Sequence, residues 1–183
     1  MSLQEKLARL RLLAMDVDGV LTDGTVYIGA EGETLKGFDV KDGLGLRLAL
    51  EGGLIVAFVT GRRSPIVEQR ARELGVSEVI QGARQKGEAL RHLAEKHGLS
   101  PQEVGFIGDD WNDWPALEWA GCTFAPSDAF EAIRQRVDWV ASSPGGRGAV
   151  REVIELILRA QGRYEEALQR FLNPPKTQGR EEG

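Results

Sequence analysis

The sequence predicts an α/β domain built on a mostly parallel sheet. Short, continuously apolar runs such as LIVAFV (Leu54–Val59) and VGFI (Val104–Ile107) are what strands covered on both faces require. Between such runs lie segments with helical start and stop signals, so strands and helices alternate along the chain. Polar groups follow the apolar runs, and in such sheets ligands sit at the carboxyl ends of the strands.

In chain order, residues 2–10 read as a short amphipathic helix and Arg11–Val17 as a mostly apolar strand. Thr25–Tyr27 and Thr34–Phe38 flank Gly29-Ala30-Glu31-Gly32, the pattern of a β-hairpin with a Gly-containing turn. Asp42–Glu51 is helical, with Leu44, Leu48 and Leu50 expected inward, and Gly52-Gly53 stops it. After the strand Leu54–Val59, a helix over Ser64–Leu74 has Ser64 as N-cap, Pro65 at its first position and Gly75 beyond its end. Val79-Ile80 is a short strand, and Gln85–His97 a helix ended by Gly98. The strand Val104–Ile107 precedes a helix over Asp113–Ala120. Then come a strand at Cys122–Ala125, a helix at Ala129–Gln135 and a short edge strand at Trp139-Val140. A single long helix is expected from Arg147 to Phe171, with Val150, Val153, Ile154, Ile157 and Leu158 on one stripe.

These elements make one domain over residues 1–172, with a flexible polar tail over 173–183. The 183-residue chain is long enough for a sizeable core. Its net charge of −5 argues against a nucleic-acid partner, while leaving room for a small anionic ligand held by a few local Arg and Lys. The single cysteine, Cys122, excludes an intrachain disulfide and fits a reducing compartment. The N-terminus has no apolar signal region, and no run approaches the roughly 20 residues that span a bilayer. A cytoplasmic protein without membrane partners is expected.

Four polar groups follow four of the predicted strands: Asp16-Val17-Asp18-Gly19, Thr60-Gly61-Arg62-Arg63, Lys86-Gly87 and Gly108-Asp109-Asp110-Trp111-Asn112-Asp113. If the strands are neighbours, these groups converge at one rim. Carboxylate oxygens are hard ligands suited to Mg²⁺. A bound cation, helped by Lys86, would remove most of the repulsion between Asp16 and Asp109. An EF-hand fails because Val20 stands at its third acidic position. A glycosidase pair fails because carboxyls at i and i+2 of one strand, about 6.6 Å apart, cannot flank a sugar from opposite faces.

The motifs DxDGVLTDG, TGR, a lone Lys and GDDxND, in this order, resemble those of phosphatases of the haloacid dehalogenase superfamily. The resemblance runs over residues 11–160. LKGFDVKDGLGLR, TGRR, VIQGARQKGEAL, GDDWNDWP and GGRGAVREV narrow it to the 3-deoxy-D-manno-octulosonate 8-phosphate (KDO 8-phosphate) phosphatase family. This likeness implies a Rossmann-like core without a cap domain, Mg²⁺ dependence, a homotetramer and a role in making a lipopolysaccharide sugar acid. The sequence agrees on the cap: residues 24–60 hold only a hairpin and one helix, and 61–85 one helix and a short strand.

The resemblance implies that Asp16 is the nucleophile that becomes an aspartyl-phosphate. Asp18 would be general acid, then general base, and would lend its main-chain carbonyl to the metal. Asp16 and Asp109 would supply side-chain oxygens. Asp113 and Asp110 would orient water or Lys86 from behind. Thr60 and Lys86 would contact the phosphoryl oxygens, with Gly19 and Gly61 letting the backbone approach. Asp39, Val40, Lys41, Asp42, Gly43, Arg47, Arg62 and Arg70 would line the sugar site with Asp18 and Lys86, and Lys41 stands where the family more often has Arg. The hairpin and the tail after Gly162 are candidates to close a neighbouring subunit's site.

Residues outside this set have plainer readings. His92 and His97 read as solvated, Cys122 as packed in a strand, and Trp114 and Trp119 as core. Asp23 and Asp110 fit either the site or a turn, Trp111 either the site's edge or surface, and Arg147 either a cap or a substrate contact. Competing functions are a phosphatase for a nine-carbon keto-acid phosphate, a phospho-receiver domain and a non-catalytic oligomerisation module. The first is disfavoured by Arg62 and Arg147, where such relatives carry Glu. The second is disfavoured because its phosphorylated Asp follows the acidic pair in the chain. The third is disfavoured by the intact set Asp16, Asp18, Thr60, Lys86 and Asp109.

Overall fold

In the computed structural model, which describes residues 1–174, the first apolar run becomes β1 (Leu12–Met15), all four residues buried. It lies at the centre of a six-stranded sheet with β4 (Ile55–Thr60), β5 (Glu78–Gln81), β6 (Val104–Ile107), β7 (Cys122–Ala125) and β8 (Trp139–Val140). The order is β5-β4-β1-β6-β7-β8, and every neighbouring pair is parallel. The chain first moves outward from β1 to β5, then crosses back to β6. The direction thus reverses beside β1, where open α/β sheets place their ligands.

Strand pleating divides the core in two. Leu13, Met15, Val56 and Phe58 face a layer formed by α1 (Leu3–Arg9), α2 (Val40–Glu51), α3 (Pro65–Leu74), α7 (Ala149–Ala160) and α8 (Tyr164–Leu172). Leu12, Ala14, Ala57 and Val59 face α4 (Lys86–Lys96), α5 (Trp114–Trp119) and α6 (Glu131–Arg134). The small antiparallel hairpin of β2 (Tyr27–Gly29) and β3 (Gly32–Leu35) stands apart from the main sheet. No cap domain occurs among the described residues: α2 alone lies between hairpin and β4, and α3 and β5 between β4 and α4.

Caps set several boundaries. Ser2 and Glu5 form a capping box on α1. Asp39 caps α2 by accepting from the amides of Lys41 and Asp42, so this helix starts two residues earlier than expected. Asp42 is then a buried first-turn residue, and its carboxylate crosses to α7, accepting from the amides of Gly148 (3.1 Å) and Arg151 (2.9 Å). Leu46 and Leu48 are buried while Leu44 is exposed, which corrects the inward assignment of Leu44. The register is set by α7, which packs across α2.

The long helix expected over Arg147–Phe171 is two. α7 ends at Ala160, and α8 begins at Tyr164. Gly162 takes a left-handed φ of 66°, and the Arg163 amide donates back to Leu158, closing the first helix. The break returns α8 onto α2. β1 ends at Met15 rather than Val17, so Asp16 is the first residue beyond the strand. A 3₁₀ turn over Trp111–Asp113 precedes α5, which starts at Trp114 rather than Asp113. Of the expected flexible tail, residues 175–183 lie outside the described residues.

Because Asp42 satisfies two otherwise orphaned amides at the start of α7, Asp42→Ala is expected to destabilise the fold by about 1–2 kcal/mol in urea unfolding. An unchanged midpoint would contradict this capping role.

Candidate active site

Asp16 and Asp18 leave the carboxyl end of β1, Thr60 ends β4, Lys86 opens α4, and Asp109 and Asp110 follow β6. Parallel pairing in register (Met15 with Phe58 and with Ile107) brings these ends to one rim. There Asp16, Asp18, Thr60, Gly61, Arg62, Asp109, Asp110 and Asn112 line a cleft of about 180 Å³.

Beneath the cleft the charges are buried and paired. The Lys86 ammonium, 1% exposed, lies 2.7 Å from Asp16 Oδ2 and 2.6 Å from Asp113 Oδ1. The other oxygen of Asp113 accepts from the Asp109 amide at 2.9 Å. Asp16 Oδ1 accepts from the Val17 amide at 2.7 Å. Burial opposes the Lys86 charge, but Asp113 and Asp16 outweigh it and hold its pKa above the ordinary lysine value. Burial and the nearby Asp113 push Asp16 up to about 6, against the pull of Lys86. Burial, Asp113 and Asp16 push Asp109 up to about 8.

One ammonium is thus too little for these carboxylates, and a hard cation fits the deficit. Oxygens of Asp16, Asp109 and Asp113 lie within 4.8 Å of one another. Asp113 already serves Lys86 and the Asp109 amide with its two oxygens, so Asp16 and Asp109 are the better side-chain donors. Asp113 holds Lys86 and the metal loop from behind.

The loop after β1 is packed to accept this. Thr22 is buried, and its hydroxyl accepts from the amides of Gly19 (3.3 Å) and Gly24 (3.1 Å). A Cβ at Gly19 would stand 2.2 Å from Asp109 Oδ2, so the position keeps room for that carboxylate. A Cβ at Gly145 would stand 1.9 Å from the Gly19 carbonyl oxygen, and the Gly146 amide donates to Val20 at 2.9 Å. The GGRG segment therefore lies directly on the loop that carries Asp18. Sequence reasoning missed this contact, although the paired glycines were a signal for close backbone approach.

The remaining candidates fall elsewhere. Asp39, Val40 and Arg147 line a second cleft of about 340 Å³ with Asp23 and Phe38. Asp42 and Gly43 are buried, the former on α7, the latter against the Arg70 guanidinium. Arg70 stacks over Phe38 at 5.8 Å and pairs with Glu73 at 3.2 Å. Lys41 and Arg47 are exposed on α2, and Arg47 reaches alongside Gly75. Of the expected sugar-binding arginines, Arg62 alone reaches the first cleft within one protomer.

Asp23 accepts from the Thr25 amide at 2.9 Å, and Asp110 from that of Trp111 at 2.7 Å, so both serve turns. Asp110 also lines the cleft. Trp111 is exposed, meets Trp114 edge-on and Phe130 at a tilt, and has the Arg136 guanidinium over its ring. His97 is not simply solvated: its Nε2 lies 2.9 Å from Glu78 Oε1. Two charged residues to which the sequence assigns no role in the site, Glu33 and Lys36, bring the hairpin to Asp18.

Residues 74–154 match the haloacid dehalogenase-like hydrolase family. The chain is 46% identical over 162 residues to 3-deoxy-D-manno-octulosonate 8-phosphate phosphatase of Escherichia coli K12, covering 88% of this chain and 86% of that one. The crystal structure of the phosphatase of that name from Moraxella catarrhalis, in complex with magnesium ion, phosphate ion and KDO, is 43% identical. It covers 92% of this chain and 97% of that one, with a TM-score of 0.87. The structure from Yersinia pestis is 42% identical, covering 88% of each chain, with a TM-score of 0.86. The four motifs at the rim of this sheet, the uncapped parallel core and these likenesses converge: the chain belongs to the 3-deoxy-D-manno-octulosonate 8-phosphate phosphatase family of haloacid dehalogenase-like hydrolases.

Proposed function

We propose that this protein is a Mg²⁺-dependent phosphatase that releases phosphate from 3-deoxy-D-manno-octulosonate 8-phosphate. The observation that carries this reading is the single cleft lined by Asp16, Asp18, Thr60 and Asp109, with Lys86 bound to Asp16 beneath it. One domain over residues 1–172 carries the activity. In this reading its product feeds lipopolysaccharide synthesis, and the protein works in the cytoplasm. Among the described residues no helix is long and apolar enough to cross a membrane.

In this reading an Asp16 oxygen attacks phosphorus, forming an O–P bond as the bond to the sugar oxygen breaks. Asp18 gives its proton to that leaving oxygen. It then takes a proton from the water that attacks the aspartyl-phosphate, which frees phosphate and restores Asp16. The Thr60 hydroxyl and Lys86 ammonium bind the equatorial oxygens, where charge accumulates. Mg²⁺ held by Asp16, Asp109 and the Asp18 carbonyl would add Lewis-acid stabilisation of that charge. Arg62, at the mouth, presents a planar donor to the substrate.

The chain acts as a homotetramer in this proposal. Tyr27, Ile28 and Leu35 on the hairpin and Val40 and Leu44 on α2 are exposed apolar residues that assembly would cover. Asp39, Val40, Lys41, Gly43, Arg47 and Arg70 would then complete a sugar site across subunits.

Purified protein with Mg²⁺ is expected to release phosphate from KDO 8-phosphate with higher kcat/KM than from a nine-carbon keto-acid phosphate. Asp16→Asn should lower kcat by about three orders of magnitude or more, and undiminished turnover would exclude Asp16 as nucleophile. Light scattering should give four times the chain mass.

The raised carboxylates predict a metal-linked stability. With ordinary values of 3.8, Asp16 near 6 and Asp109 near 8 mean that the metal-free fold binds extra protons between about pH 4 and 8. Metal-free stability therefore falls as pH rises through that window. Mg²⁺ relieves the repulsion, so its Tm increment should be larger at pH 8 than at pH 5. Equal increments at both would contradict the assignment.

A further inference from the structure

Lys36 belongs to none of the four motifs, yet its side chain is 1% exposed at the edge of the active-site cleft. Its ammonium donates to Asp18 Oδ1 and lies 2.7 Å from Glu33 Oε1. Burying an ammonium is costly unless well-placed partners compensate, and here two carboxylates do. Arg62 Nε lies 3.9 Å from both Asp18 Oδ2 and Glu33 Oε1, so the four charges form one cluster. The Asp18 carboxylate is thus gripped by Lys36 at one oxygen and faced by Arg62 across the other.

The origin of Lys36 gives this contact its meaning. It stands directly after β3, on a hairpin whose Tyr27, Ile28 and Leu35 are 45%, 65% and 50% exposed. Glu33, in β3, is 11% exposed at its side chain and faces inward with Lys36. This inward pair is what joins the hairpin to the catalytic loop. Asp18 itself sits in a turn beyond β1, and among the described residues its carboxylate has no main-chain donor. Its orientation therefore depends on these side chains.

We propose that Lys36 is a positioning residue: it fixes the Asp18 carboxyl at the angle needed for proton transfer to the leaving oxygen, with Glu33 holding Lys36 in turn. Its burial keeps it off the substrate, so it acts through Asp18. A misplacement of about 1 Å in a catalytic group can cost on the order of 100-fold in rate. Glu33 and Lys36 thereby link the acid–base group to the hairpin. The inference rests on the assignment of Asp18 as acid and base in the proposed reaction.

The test compares esters that need the acid with one that does not. From KDO 8-phosphate the sugar's 8-oxygen leaves as an alkoxide that must be protonated, whereas p-nitrophenyl phosphate has a leaving group stable as its anion. kcat/KM reports the step that forms the aspartyl-phosphate, before the water step common to both. Lys36→Met should lower kcat/KM about 10–100-fold for KDO 8-phosphate and less than about threefold for the aryl ester. Made in an Asp18→Asn background, it should add little further loss, as expected for two residues acting as one unit.

Equal losses on the two esters, full additivity with Asp18→Asn, or no loss on the sugar ester would each overturn the proposal. Lys36→Gln, which keeps a donor without the charge, gives the same comparison if the Met variant does not fold. Failure of the wild type on KDO 8-phosphate would instead count against the substrate assignment. The Lys36 comparison would then run on another alkyl phosphate that the wild type hydrolyses.

Discussion

The ion pair network around Lys86 is the constraint from which the rest of the rim follows. Its ammonium sits between Asp16 and Asp113, all three nearly inaccessible to water. Breaking such a buried pair by removing one partner typically costs about 3–5 kcal/mol, because the remaining charge is left without compensation. The elements that supply the three residues are therefore fixed together: the end of β1, the start of α4 and the turn before α5. Asp113 extends the arrangement by accepting from the Asp109 amide, which sets the loop after β6. The network balances position well and charge poorly. An excess of carboxylate remains, visible in the raised pKa values of Asp16 and Asp109, and it is what makes the rim a cation site.

Around that network the backbone approaches itself closely. The loop carrying Asp18 is pinned from within by Thr22 and covered by Gly145 and Gly146, whose missing side chains leave room for Gly19 and Thr22. α7 then starts under Asp42, so one buried carboxylate on α2 holds the segment that covers the catalytic loop. Asp42 lies within the stretch that resembles the family's sugar-binding residues, yet its carboxylate is spent on the fold. Residues in one motif can thus divide between chemistry and architecture, and only the direction of each side chain separates them.

Much of this was legible in the residues. Val104–Ile107, Cys122–Ala125 and Trp139–Val140 form strands at the expected bounds, and Pro65–Leu74 forms its helix between Ser64 and Gly75. Local signals suffice there: an apolar run covered on both faces, or a proline at the start and a left-handed glycine at the end. The break at Gly162 was not read, because the apolar stripe continues in period past it and one glycine is tolerated in many helices. The partner of His97 was not read either, since Glu78 lies on another strand and no spacing relates them.

The sequence by itself determined the fold class, the order of the four motifs and the identity of the groups that meet at the rim. Each of those depends on local periodicity, or on parallel strands sharing one end. Only the tertiary structure decided which carboxylates are free. Asp113 turns to Lys86, Asp42 to the amides of α7, Asp23 to its own turn, and Asp18 to Lys36. The physical reason is that a carboxylate takes whichever donor lies within about 3 Å. That donor can be 109 residues away, as Arg151 is from Asp42, a separation that no local pattern records.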